Sequence, residues 1–196
     1  AQLAIAQGHV EATKLAAAFA GGGSAAGELR WSGGRLDAKV AVREADLLAW
    51  HSALRATRLS GDIAAVATGE SQSFEVALAD PRFEIRGEAR IAQGTLTVGR
   101  ARLARGAAFA EASGTLALAG ERAFQAQGRI ERLDPAAFAK LPPGELNATF
   151  TAKGTLAKGA AGEAVLEILK SRFAGMAAEG RVALATDGVR LSRTEA

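Results

Sequence analysis

From Arg82 to Ile91 the chain alternates without a break. Arg82, Glu84, Arg86, Glu88 and Arg90 take one parity; Phe83, Ile85, Gly87, Ala89 and Ile91 take the other. Successive side chains of a strand point to opposite faces, so this segment predicts a strand with one charged and one apolar face. A helical period cannot place five charges at every second position. The same alternation sets Leu36, Ala38, Val40 and Val42 against Arg35, Asp37, Lys39 and Arg43, and Leu146, Ala148 and Phe150 against Asn147, Thr149, Thr151 and Lys153. Shorter runs appear at Phe74-Val76-Leu78, Leu96-Val98, Leu116-Leu118, Val182-Leu184 and Val189-Leu191. Gly61, Gly69, Gly94, Gly106, Gly114, Gly120, Gly128, Gly154 and Gly180 interrupt the runs, as turns or as bulges that bend a sheet. One wet face and one dry face is the antiparallel habit. The chain therefore reads as all-β, either an open sheet or a sandwich that closes two apolar faces on each other.

Two short helices are expected inside the strand pattern. Asp134 suits an N-cap, Pro135 the first helical position, and Pro142-Pro143 a stop. Asp46 caps the equivalent segment and sets Trp50 and Leu54 on one helical face. Trp50 and Phe138 are then expected to plug their helices onto the sheet. The Ala-rich stretch from Thr13 to Ala20 has helical propensity but reads as strand.

These segments belong to a repeat. Ala6-Gln7-Gly8 returns as Ala92-Gln93-Gly94, an offset of 86 residues. Asp46, Trp50, Leu54 and Leu59 return as Asp134, Phe138, Leu141 and Leu146, with the aspartates 88 apart. Phe83 ahead of Arg90-Ile91 is echoed by Phe173 ahead of Arg181-Val182, 90 apart. A period near 88 divides the chain into units 6–91 and 92–178, with the remainder opening a further one. Such a chain stacks similar units instead of closing around one unique site.

Composition narrows the chemistry. Apolar residues make up 48% of the 196, yet aromatics only 5% and there is no Tyr or Cys. Much of the apolar content is Ala, which suits a thin layer better than a deep core. Twenty-four Lys and Arg against 21 Asp and Glu leave +3, with the signs interleaved, so no phosphate-binding stripe and no nucleic-acid partner are expected. His9 and His51, read as solvated or edge positions, are the only histidines, and without Cys they make no zinc or iron–sulfur site. Ser113 and Ser171 lack a neighbouring base motif. Gly21-Gly22-Gly23-Ser24 lacks the Lys of a phosphate loop and reads as a flexible turn. No enzyme and no cofactor are expected. The chain does not begin with Met and reads as a fragment, and the uncharged run from Leu15 to Gly27 is too short to span a bilayer.

One resemblance adds to this. Arg132-Leu133-Asp134-Pro135-Ala136-Ala137-Phe138, Leu141-Pro142-Pro143-Gly144-Glu145-Leu146-Asn147-Ala148 and Ala152-Lys153-Gly154-Thr155-Leu156 resemble the TamB proteins, translocation and assembly modules of Gram-negative bacteria within the wider AsmA-like group. Ser171-Arg172-Phe173-Ala174-Gly175 and Leu78-Ala79-Asp80-Pro81-Arg82-Phe83 fit the same pattern, and the likeness is clearest from Leu36 to Leu184. The resemblance implies a β-taco, a long sheet curled into a U-shaped apolar groove. It implies an inner-membrane-anchored protein of the periplasm that carries phospholipid toward the outer membrane, with TamA as its outer-membrane partner. The residues expected to line the groove are Val40, Val42, Phe74, Val76, Leu78, Phe83, Ile85, Ile91, Leu96, Val98, Leu116, Leu118, Ile130, Leu146, Phe150, Leu156, Val182 and Leu184. Abundant Ala and Gly would leave such a trough open. The alternative is a structural or adhesive β-repeat, a closed sandwich or a surface-protein passenger segment, whose apolar face is fully buried and carries no lipid.

Overall fold

A computed structural model describes residues 2–6, 8–157, 159–187 and 191–195. Gln7 and Val189, used above, lie outside them. Among the described residues, fourteen strands form one sheet in which spatial order equals chain order. They are β1 (Gln2–Ala6), β2 (His9–Ala18), β3 (Ser24–Ser32), β4 (Arg35–Ala45), β5 (Leu59–Ala67), β6 (Ser71–Asp80) and β7 (Phe83–Ala92), then β8 (Thr95–Arg105), β9 (Ala108–Ala117), β10 (Ala123–Leu133), β11 (Gly144–Thr155), β12 (Ala161–Phe173), β13 (Met176–Asp187) and β14 (Leu191–Glu195). Every neighbouring pair is antiparallel. The Ala-rich Thr13–Ala18 segment is strand, as read from the sequence. The sheet is open: the chain exposes 12542 Å², where a closed globule of its mass would expose about 8,700 Å².

The two expected helices are single 3₁₀ turns, Leu47–Ala49 and Pro135–Ala137. Asp46 Oδ1 accepts from the N–H groups of Leu48 and Thr57, and Asp134 Oδ1 from those of Ala136 and Gly144. Each cap therefore closes its loop at both ends. Just before each cap a bulge breaks the register, between Val42 and Ala45 and between Ile130 and Leu133. Glu44 and Arg132, the extra residues, take positive φ, and their N–H groups are accepted by Ser60 Oγ and Asn147 Oδ1. The same device thus occurs six strands apart. Phe83 and Phe173 do not share it: Phe83 opens β7, whereas Phe173 closes β12.

Trp50 departs from expectation. A single 3₁₀ turn has no face on which i and i+4 align, and Trp50, its C-cap, is 63% exposed. Its ring stands at a T to that of Phe19, with centroids 6.2 Å apart. Phe138 does pack, edge-on against Phe83 at 4.9 Å. Leu54 instead forms an antiparallel bridge with Ala139. Arg55 N–H donates to Phe138 O at 3.0 Å and Lys140 N–H to Ala53 O at 2.9 Å. In a flat sheet the six intervening strand spacings would separate these loops by about 29 Å. The loops therefore reach toward each other across the sheet, and the bulges beside them supply local bend and twist.

The buried side chains gather at this loop end. Val42, Ala45, Leu59 and Phe83 form the core, with Phe19, Leu47 and Phe138 packed on it. Asp80 lies beneath the same loops, its side chain 2% exposed. Its Oδ1 accepts from Arg82 N–H and Nε, and its Oδ2 from Arg58 N–H. Burial opposes ionisation, but Arg82 and the two backbone donors outweigh it and hold the Asp80 carboxyl below the usual range. A carboxyl depressed in the folded state stabilises above its unfolded pKa, and that contribution fades as pH falls through the folded one. Asp80→Asn is expected to cost about 1–3 kcal/mol at neutral pH. Melting curves of both proteins should converge once the pH drops below the folded pKa of Asp80.

Candidate functional site

Cross-strand pairing assembles one row of residues across twelve strands: Ala12, Leu29, Ala38, Ala65, Phe74, Ala89, Val98, Gly114, Ala126, Ala152, Ala164 and Leu184. Every member is apolar or glycine. Eleven strand spacings give it a length of about 53 Å along the sheet. The neighbouring row, on the other face, runs Glu11, Arg30, Asp37, Val66, Ser73, Arg90, Thr97, Thr115, Gln125, Lys153, Glu163 and Ala185. The local alternation of each strand is therefore kept in phase across the whole sheet.

The expected lining residues fall on the first face. Val40, Val42, Phe74, Val76, Leu78, Phe83, Ile85, Ile91, Leu96, Val98, Leu116, Ile130, Leu146, Phe150, Val182 and Leu184 share it through the register. Leu118 and Leu156 lie just past the ends of β9 and β11 and are exposed. Two members differ from the rest: Val42 and Phe83 are buried in the loop-end core. The other fourteen are half-buried, while Trp31 and Leu166 on the same face are exposed.

Gly114, Gly128, Gly154 and Gly162, inside strands, also fall on this face in paired register, neither turns nor bulges, whereas Gly99 is the extra residue of a bulge in β8. Phe150 lies over Gly128, where an added Cβ would come within 2.6 Å of the ring. Gly154 and Gly162 face each other across β11 and β12, and a Cβ on either would meet the other strand's backbone. Glycine here serves close approach. Small residues under large ones keep the apolar layer shallow.

The opposite face holds what the sequence reading missed. A wide-mouthed hollow of about 600 Å³ is lined by Thr97, Ser113, Thr115, Gln125, Gln127 and Thr151, among others. It continues into neighbouring hollows bordered by Arg100, Glu111 and Arg129, and by Asp62, Glu75 and Arg86. Glu111 accepts from Arg100 Nε at 2.7 Å and from Arg102 at 3.0 Å, and these two guanidinium groups lower its pKa. Phe109 belongs to this charged face by register. It is buried beneath Arg102 and Arg129, whose guanidinium carbons stand 3.9 and 4.9 Å from its ring centre. An aromatic at a charged parity was the signal available for it.

Among the described residues no group of three His, Cys, Asp or Glu is placed to hold a metal, and no buried side-chain nitrogen or oxygen lacks a partner. Buried Thr57 and Ser171 hold backbone groups, and Asp46 and Asp134 act as caps. No helix among the described residues is long and apolar enough to cross a membrane. No protein-family model, no curated protein and no solved structure matches this chain.

Proposed function

We propose that this chain is a segment of a hydrophobic conduit that carries phospholipid between membranes, in the manner of the TamB-like proteins it resembles. The reading places it in the periplasm, within a protein anchored in the inner membrane and partnered by TamA. It takes the apolar face as the inside of a U-shaped trough, with a unit of six strands corresponding to the 88-residue offset. The apolar row that crosses twelve strands is the observation that carries this reading.

The physical need is plain. An acyl chain of about sixteen carbons exposed to water costs more than about 10 kcal/mol, at roughly 0.8 kcal/mol per methylene. A continuous apolar surface removes most of that barrier and needs no specific hydrogen bond. The headgroup stays wet beyond the rim. The alternative, a structural or adhesive repeat without lipid, draws support from the loop end, where Leu59 and Phe83 fill the apolar face themselves. A photocrosslinking residue at position 150 should capture phospholipid in cells, and one at position 149, its neighbour on the polar face, should not. Equal labelling of both, or of neither, would favour the structural repeat.

A further inference from the structure

The loop end of the sheet presents large apolar side chains to solvent beside cations. Trp50 is 63% exposed on the loop 47–58, Leu141 49% on the loop 135–143, and Met176 68% at the β12–β13 turn. The first loop carries Arg55 and Arg58 and the second Lys140, all exposed, and neither contains an acidic residue. Exposed Lys170 and Arg172 lie a few residues ahead of Met176. The aspartates that precede the two loops do not offset these charges outward, because Oδ1 of each is held by two backbone N–H groups. The Leu54–Ala139 bridge joins the two loops.

We propose that this rim docks on an anionic phospholipid surface. An indole with Leu and Met at the same end of the sheet suits the headgroup layer, where an amphipathic ring sits with its apolar body toward the acyl chains. Arg55, Arg58 and Lys140 then meet lipid phosphates, each adding to the attraction within a Debye length of the bilayer. An acidic protein would satisfy the cations but gives less reason for Trp50 and Leu141 to stay bare. The inference concerns the rim and not the apolar face, so it stands whether or not that face carries lipid.

The two tryptophans make the test direct, because they mark opposite ends of the strands. Trp31, cross-strand from Leu36, sits on the apolar face at the far end. Trp31→Phe leaves Trp50 as the sole indole, and Trp50→Phe leaves Trp31. Vesicles of phosphatidylcholine doped with phosphatidylglycerol should blue-shift the emission of Trp50 and leave that of Trp31 unchanged, with binding lost at high salt. Arg58→Gln with Lys140→Gln should lower vesicle partitioning by about 30-fold. Equal binding to pure phosphatidylcholine, or a shift of Trp31 alone, overturns the proposal, the latter by showing that the apolar face and not the rim takes up lipid. A Trp50 shift with polyglutamate and none with the vesicles assigns the rim to an acidic protein and overturns it as well.

Discussion

Leu59→Asp is expected to unfold the chain at room temperature. Leu59 is the most buried large side chain, 2% exposed, and it packs with Val42, Ala45 and Phe83 beneath the two bridged loops. A carboxylate there would be desolvated without a partner, a cost of at least about 4–5 kcal/mol. Whole domains are stable by only about 5–15 kcal/mol. A single layer has no second core on which to fall back. Leu59→Ala, which leaves a cavity without a charge, is expected to cost about 2–5 kcal/mol. Thermal melts followed by far-ultraviolet circular dichroism check both. A Leu59→Asp protein melting within a few degrees of the parent would show that the loop end is not where stability resides.

The second large effect is functional. Leu116→Arg is expected to leave the chain folded while lowering acyl-chain capture at a crosslinker on position 150 more than tenfold, since a charge in an apolar channel costs several kcal/mol to desolvate. Leu116 lies mid-sheet, with Leu96 and Phe124 as its cross-strand neighbours, and is only half-buried. An Arg there can extend its head toward water. Ile85 is a poorer choice, because it packs against the buried cluster and its loss would mix stability with function. Crosslinking and melting temperature measured on one preparation separate the outcomes. A folded Leu116→Arg protein that captures lipid as well as the parent argues against the conduit, and one that unfolds argues that the apolar face is closed.

Strands and faces were legible because alternation is a local property. The parity of Ile85 and Arg86 needs no partner to be read, and antiparallel pairing then carries it from strand to strand. The two aspartate caps were legible for the same reason: the first N–H that each carboxylate accepts from lies two residues on. What escaped depends on contacts far along the chain. Glu44 and Arg132 show no sign of a left-handed backbone, because their bulges are completed by Ser60 and Asn147 on the next strand. The exposure of Trp50 follows from a helix that stops after one turn, where sequence alone suggested a longer one. The polar hollow is lined by residues of five strands, from Thr97 on β8 to Glu163 on β12, and no single strand encodes it.

The strict chain order of the strands bears on how the molecule would respond to force. Each strand is held by its predecessor and successor, so tension on the termini would peel hairpins away one at a time, at low and nearly constant load. Assembly would run as a zipper with little loop entropy to overcome at any step. The Leu54–Ala139 bridge, with the Phe83–Phe138 contact beside it, is a long-range exception, tying strands that would otherwise separate independently. In a single-molecule pulling trace it would stand out as a discrete rupture amid the unzipping, and the hairpins between β5 and β10 would be shielded until it broke.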